Sequence, residues 1–181
     1  MEHKINVLMT GAGAPGGPGI IKCILENQKR YKLFISDADD NASGKYLIPS
    51  RFRKIPLAND GNFITELLKI CIKEKIKIIF PLVTKELSIL SAAKDIFREK
   101  NISIIVSDFE TLNVLNDKGL LYSFLNKRKI KVPNFFFINN DKEIIENIEK
   151  LNFPEYPVVI KPRISNGSRG VRIIDNTIDS F

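Results

Sequence analysis

Four glycines stand in the run Gly11-Ala12-Gly13-Ala14-Pro15-Gly16-Gly17, directly after the apolar segment 5–10. Gly11, Gly13 and Gly16 have the spacing G-x-G-x-x-G. Glycines at such a turn let the backbone reverse sharply and approach a ligand closely. The N–H groups that open a following helix then face an anion. Asp37 ends the next apolar segment about 20 residues on, where an acid meets the ribose in dinucleotide sites. Three readings stay open for this turn. It could hold a pyrophosphate, it could hold a carboxylate or acyl phosphate, or its glycines could simply pack a helix against a sheet. Pro15 and the extra Gly17-Pro18-Gly19 make it longer and stiffer than a dinucleotide fingerprint.

A second constellation lies downstream. Lys161-Pro162-Arg163 ends the apolar segment 157–161, and Ser165-Asn166-Gly167-Ser168-Arg169-Gly170 follows. A lysine at a strand end beside a Gly/Ser loop suits the phosphates of ATP. Its ammonium neutralises charge, and backbone N–H groups with small hydroxyls wrap the oxygens. Gly167 and Gly170 allow the loop to fold over a ligand. An ordinary surface hairpin with solvated cations has the same residues, and their chemistry alone does not choose.

Other chemistries find little support. The only histidine is His3, and no Cys/His cluster has zinc spacing. Cys23 and Cys71 both fall in apolar helical patterns and are expected to be buried, reduced core residues. The net charge of +7 invites a nucleic-acid partner, but the lysines are scattered, with no basic block flanked by aromatics. No nucleic-acid partner is expected. No apolar run reaches the ~18 residues of a membrane span. Residues 1–4 run straight into the first strand-like segment, so a cytoplasmic protein is expected.

These candidates need a scaffold, and the hydrophobic pattern predicts one. Strands are expected at 5–10, 32–36, 76–80 and 102–106, with helices at 20–29, 61–75 and 85–100 between them. Residues 40–60 read as irregular, with Pro49 and Pro56 as breakers. Short apolar strands joined by helices predict an α/β domain with a parallel sheet, strand 5–10 central and the turn 11–19 at its C-terminal edge. Beyond residue 107 the rhythm changes. Helices are expected at 108–115, at 117–129 with Asp117 as its N-cap, and at 142–151. Strands are expected at 134–138, 157–161 and 171–175, the last two forming a hairpin around the Gly/Ser loop. A domain boundary is expected near 108–116.

The order of these short motifs resembles the ATP-grasp superfamily. It comprises Gly11-Ala12-Gly13 with Pro15-Gly16-Gly17, Asp37-Ala38-Asp39, Pro81-Leu82-Val83, Ser107-Asp108, Asn116-Asp117-Lys118, Val132-Pro133 and Tyr156-Pro157-Val158-Val159-Ile160-Lys161-Pro162. Within it the chain resembles carbamoyl-phosphate-synthase large-subunit-like proteins. The resemblance implies a Rossmann-like pre-ATP-grasp domain over 1–108, then linker helices and a partial small lid subdomain over 109–181. It implies that Lys118 and Lys161 bind phosphates and that Ser165, Gly167, Ser168 and Gly170 belong to the flexible phosphate loop. Gly11, Gly13, Gly16 and Gly17 would border the non-nucleotide substrate. Glu86, beyond a strand end where α/β ligands bind, would join them; its bland explanation is an acid in the first turn of a helix.

In this family ATP phosphorylates a carboxylate, and an amine or another nucleophile attacks the acyl phosphate. ATP, Mg²⁺ and a small carboxylate are therefore the implied ligands. The family's adenine hinge, its Mg²⁺-binding acids and its catalytic arginine are expected beyond Phe181. The chain is thus expected to be an N-terminal portion, inactive alone, completed by further sequence, a second chain or a homodimer. The rival readings are an NAD(P)-binding module built on the glycine turn and a non-catalytic assembly domain.

Overall fold

The computed structural model describes residues 4–165 and 167–175. His3, Asn166 and the last six residues lie outside the described residues. The chain divides into two compact units, Met1–Leu112 and Asn113–Phe181.

The first unit is built on five strands: β1 (Ile5–Thr10), β2 (Tyr31–Asp37), β3 (Phe52–Lys54), β4 (Ile78–Pro81) and β5 (Ser103–Ile104). They form one sheet in the order β3-β2-β1-β4-β5, and every pairing is parallel. The expected parallel sheet with 5–10 in the middle is the one observed. Helices α1 (Gly17–Glu26), α2 (Phe63–Lys73), α3 (Thr84–Ala92) and α4 (Lys94–Arg98) connect the strands.

Strand periodicity explains the layers. Side chains alternate across a strand, so each buried strand feeds two cores. Val7, Met9, Leu33 and Ile35 pack on one face with Ile21 of α1. Leu8, Phe34 and Ile79 point to the other, against Phe63, Leu67 and Cys71 of α2, Leu90 of α3 and Phe97 of α4. Each such fully buried side chain contributes roughly 1.5–3 kcal/mol from the water it leaves.

Helix periodicity also corrects an expectation. Cys71 is buried, but Cys23 is exposed. Phe63, Leu67 and Cys71 recur every four residues along one stripe of α2. In α1 the stripe centres on the buried Ile21, and Cys23 lies two positions on, about 200° around the helix. An apolar neighbourhood in sequence is not a position on the apolar face.

Two element boundaries also differ. The expected helix 85–100 breaks at Ala93, whose φ of −92° and ψ of 2° separate α3 from α4. The irregular stretch 40–60 contains β3, which pairs with the end of β2. That strand is three residues long, and such a segment gains its conformation from a partner rather than from its own pattern.

Helix α5 (Phe109–Asn116) leads into the second unit. There α6 (Lys118–Lys127) and α7 (Asp141–Glu149) accompany an antiparallel pair, β6 (Val158–Ile160) and β7 (Arg172–Ile174). The hairpin buries Val158 and Ile174 and exposes Val159 and Ile173. The expected strand 134–138 is not one; those residues carry no regular structure. An apolar run becomes a strand only when a neighbour takes its backbone groups, and among the described residues β6 pairs with β7 alone. Among the described residues no helix is long and apolar enough to cross a membrane.

Candidate functional sites

In the first unit the chain runs outward from β1 to β2 and β3, then crosses back to β4 and β5 on the other side of β1. The carboxyl ends of these strands therefore meet at a topological switch point, where open α/β sheets bind ligands. The glycine turn lies there. Gly11 has φ +73°, and a Cβ on it would come within 2.5 Å of Val83 Cγ2 in the loop after β4. Gly17 opens α1 with no room for a side chain, since a Cβ would meet Ala12 O at 2.7 Å. Gly16, the N-cap of α1, has open space around it.

The turn is held from beneath by Asp37. One carboxylate oxygen accepts the Gly13 N–H at 2.7 Å, and the other accepts the Asp39 N–H at 2.9 Å. The acid that a dinucleotide site would turn toward a ribose is thus engaged in the turn itself. The helix start is also poor in donors. The Gly17 N–H is taken by Ala14 O at 2.7 Å, and Pro18 has none. Both features weaken the pyrophosphate reading.

Glu86 sits in the first turn of α3, only 6% exposed. The Thr10 hydroxyl, at the end of β1, donates to its Oε2. Burial pushes the Glu86 carboxyl up to about 7; the bond from Thr10 opposes the shift and the Asp37 charge adds to it. Ser36, the register partner of Thr10 on β2, carries a buried hydroxyl without a hydrogen-bond partner among the described residues. Sequence reasoning singled out Glu86 and missed Thr10 and Ser36. Their signal was faint: polar residues ending two otherwise apolar strands.

The second unit holds the other set. Asp117 caps α6, accepting the Gly119 and Leu120 N–H groups at 2.9 and 3.1 Å. Next to it, Lys118 donates from Nζ to Ser165 Oγ at 3.0 Å and to Ser165 O at 3.1 Å. Lys161, just past β6, donates to the Tyr122 hydroxyl at 2.9 Å and lies 5.1 Å from that ring's centroid. The two lysines share a cavity of about 910 Å³ with Tyr122, Phe135, Phe137 and Gly170. Tyr122, Phe135 and Phe137 meet edge to face along its wall, with centroids 5.2 and 5.6 Å apart.

The Gly/Ser loop reverses through left-handed backbone at Gly167, Ser168 and Gly170, with φ of +60°, +57° and +73°. Gly170 could carry no side chain, because a Cβ would lie 2.7 Å from Pro162 Cγ. Gly167 and Ser168 are exposed and outside the cavity lining. The structure therefore gathers Lys118, Lys161, Ser165 and Gly170 in the second unit. Gly11, Gly13, Gly16, Gly17 and Glu86 belong to the first. Tyr122 and the pairing of Asp117 with Arg163 went unread in the sequence, since their partners lie some 40 residues away in the chain.

No curated protein matches the sequence. Solved structures do match it. The biotin carboxylase of Campylobacter jejuni in complex with β,γ-ATP is 20% identical, with a TM-score of 0.65 over 96% of this chain and 39% of that one. Carboxyaminoimidazole ribonucleotide synthase of Aspergillus clavatus, complexed with ATP, is 14% identical, with a TM-score of 0.65 over 94% and 41%. The L-amino acid ligase of Bacillus licheniformis is 16% identical, with a TM-score of 0.63 over 98% and 40%. At these identities the likeness is one of fold, and the chain spans about two-fifths of each of these proteins. Residues 7–105, more than half of the chain, match the family model of the PylC-like N-terminal domain. The chain shares the fold of part of each of these three enzymes, and through residues 7–105 it belongs to the PylC-like family, as its N-terminal domain.

Proposed function

We propose that this chain is the front portion of an ATP-dependent carboxylate ligase that works through an acyl phosphate, of the carbamoyl-phosphate-synthase-like kind. The observation that carries the reading is the shared cavity of Lys118, Lys161 and Gly170. Neither ammonium has a carboxylate partner among the described residues; their hydrogen bonds go to hydroxyl and carbonyl oxygens. Uncompensated cations beside a glycine-bearing loop suit the oxygens of a nucleotide's phosphates. The aromatic wall beside them offers apolar area to the rest of the nucleotide.

The first unit supplies the pre-ATP-grasp part in this reading. Glu86 would contact the carboxylate substrate at the switch point, with Gly11, Gly13 and Gly17 shaping the turn and Gly16 leaving open backbone beside it. Mg²⁺ would neutralise charge on the transferring phosphoryl group. Residues outside this chain, in further sequence or a second subunit, would hold the metal and complete the adenine site. The fraction of each matched ligase that this chain spans supports that division. The nicotinamide alternative is disfavoured by the engagement of Asp37 in the turn.

Titration of the chain with Mg-ATP, and separately with NAD, tests the reading. Lys161→Met should weaken Mg-ATP binding tenfold or more while NAD shows none. Undiminished Mg-ATP binding by that variant, or preferential binding of NAD, would overturn it.

A further inference from the structure

Arg163 stands two residues after Lys161, just beyond β6, and Asp117 directly precedes Lys118. The two side chains form a fork: Arg163 Nε donates to Asp117 Oδ1 at 3.1 Å and Nη2 donates to Oδ2 at 2.7 Å. Asp117 is 7% exposed, and the hydrogen bond from Arg163 holds its carboxyl below the usual carboxylate range. The backbone repeats the link, since the Lys118 N–H donates to Arg163 O at 3.0 Å. The Arg163 guanidinium also lies over the Phe137 ring, its Cζ 4.9 Å from the centroid. Phe137 in turn lies over Gly119, where a Cβ would come within 2.1 Å of the ring.

We propose that Asp117 and Arg163 are positioning residues that staple the start of α6 to the end of β6, and so set Lys118 against Lys161 and the loop at Ser165. The proposal rests on the nucleotide reading given above. Its reasoning is geometric. Each lysine adjoins or nearly adjoins a member of the pair, and a bidentate guanidinium–carboxylate contact fixes orientation as well as distance. Two ammonium groups repel each other, so an unbound phosphate site needs another contact to keep them close. The Asp117–Arg163 pair supplies that contact without placing a carboxylate on either lysine. Arg163 therefore has a role distinct from the two cations it holds in place.

The test uses Asp117→Asn, Arg163→Met, Arg163→Lys and the double variant Asp117→Asn/Arg163→Met. Asparagine caps a helix as well as aspartate does, so Asp117→Asn breaks the ion pair and keeps the cap. Hydrogen exchange at the Lys118 amide reports the staple without any ligand, and Mg-ATP titration reports its effect on binding. Expected are faster exchange at Lys118 in Asp117→Asn and in Arg163→Met, and Mg-ATP dissociation constants raised about fivefold or more in each. The double variant should be no worse than the worse single one, because both remove one contact. Arg163→Lys should recover part of the loss, since lysine keeps the charge but not the fork. Unchanged exchange at Lys118 would overturn the staple. So would a loss of affinity confined to Arg163→Met with Asp117→Asn unaffected, which would make Arg163 a direct nucleotide contact. Failure of the nucleotide reading looks different: the wild-type chain would bind no Mg-ATP while the exchange at Lys118 still responded to the substitutions, and the positional role in binding would fall with it.

Discussion

Glu86 is a carboxyl enclosed at the end of a parallel sheet, with the Thr10 hydroxyl on one oxygen and burial raising its affinity for a proton. Its ordinary value of 4.5 rises to about 7 in the fold. Between these values the folded chain holds a proton that the unfolded chain has released. Stability from this group therefore falls as pH rises through that window, and a buried carboxylate remains above it. The difference corresponds to about 3 kcal/mol. Glu86→Gln keeps an acceptor for Thr10 and removes the titration. Urea denaturation at pH 5 and pH 8 should show the variant gaining on the wild type by about 2–3 kcal/mol at the higher pH. An equal gap at both pH values would show that burial does not set this proton's affinity. The neighbouring turn gives a second contrast. Gly17→Ala forces a Cβ onto Ala12 O, whereas Gly16→Ala meets open space. The first should cost about 2 kcal/mol or more and the second within about 0.5 kcal/mol, measured by thermal or chemical denaturation.

Elements carry the second scale, and the β6–β7 hairpin is the clearest case. Ile173 and Ile174 are neighbours in sequence, yet the first is exposed and the second buried. Ile174→Ala should destabilise the second unit by about 2 kcal/mol, and Ile173→Thr by no more than about 0.5 kcal/mol. Comparable losses from both, in hydrogen exchange of the β6–β7 amides, would mean that a single buried face is the wrong description. The same alternation made much of the architecture readable. Short runs such as Val7-Leu8-Met9 and Ile78-Ile79-Phe80 put apolar residues on both faces, which a sheet covered on both sides explains. The Asp117 cap was equally legible, because a short acid before a helical pattern has a local partner in the backbone. What local patterns do not encode is the identity of a distant partner. Residues 134–138 have the composition of a strand and no adjacent ladder. Cys23 has apolar neighbours and the wrong azimuth. Thr10 finds Glu86, and Lys161 finds Tyr122, across stretches of chain that sequence spacing does not measure.

At the scale of the whole molecule the +7 charge, and two lysines without a carboxylate partner among the described residues, set an expectation for nucleotide affinity. The cations of the second unit are at the surface: Lys161 is exposed and Lys118 half-buried. Attraction between exposed charges and a phosphate is screened within about 8–10 Å at moderate salt. Phosphoryl transfer also asks for a metal bridging the phosphates and for a closed site around them. The chain spans 39% and 41% of the two ATP-bound proteins described above. We therefore expect the 181-residue chain by itself to bind Mg-ATP in the high micromolar range, about −5 kcal/mol or weaker. Affinity should fall steadily as salt is raised, in the manner of a mainly Coulombic contact. ADP release across a panel of small carboxylates should stay at background. Isothermal titration at two salt concentrations, with a coupled assay for ADP, measures all three quantities. Sub-micromolar binding, insensitivity to salt, or turnover by the purified chain without a partner would each place a complete nucleotide site within these residues and refute the division of labour proposed for them.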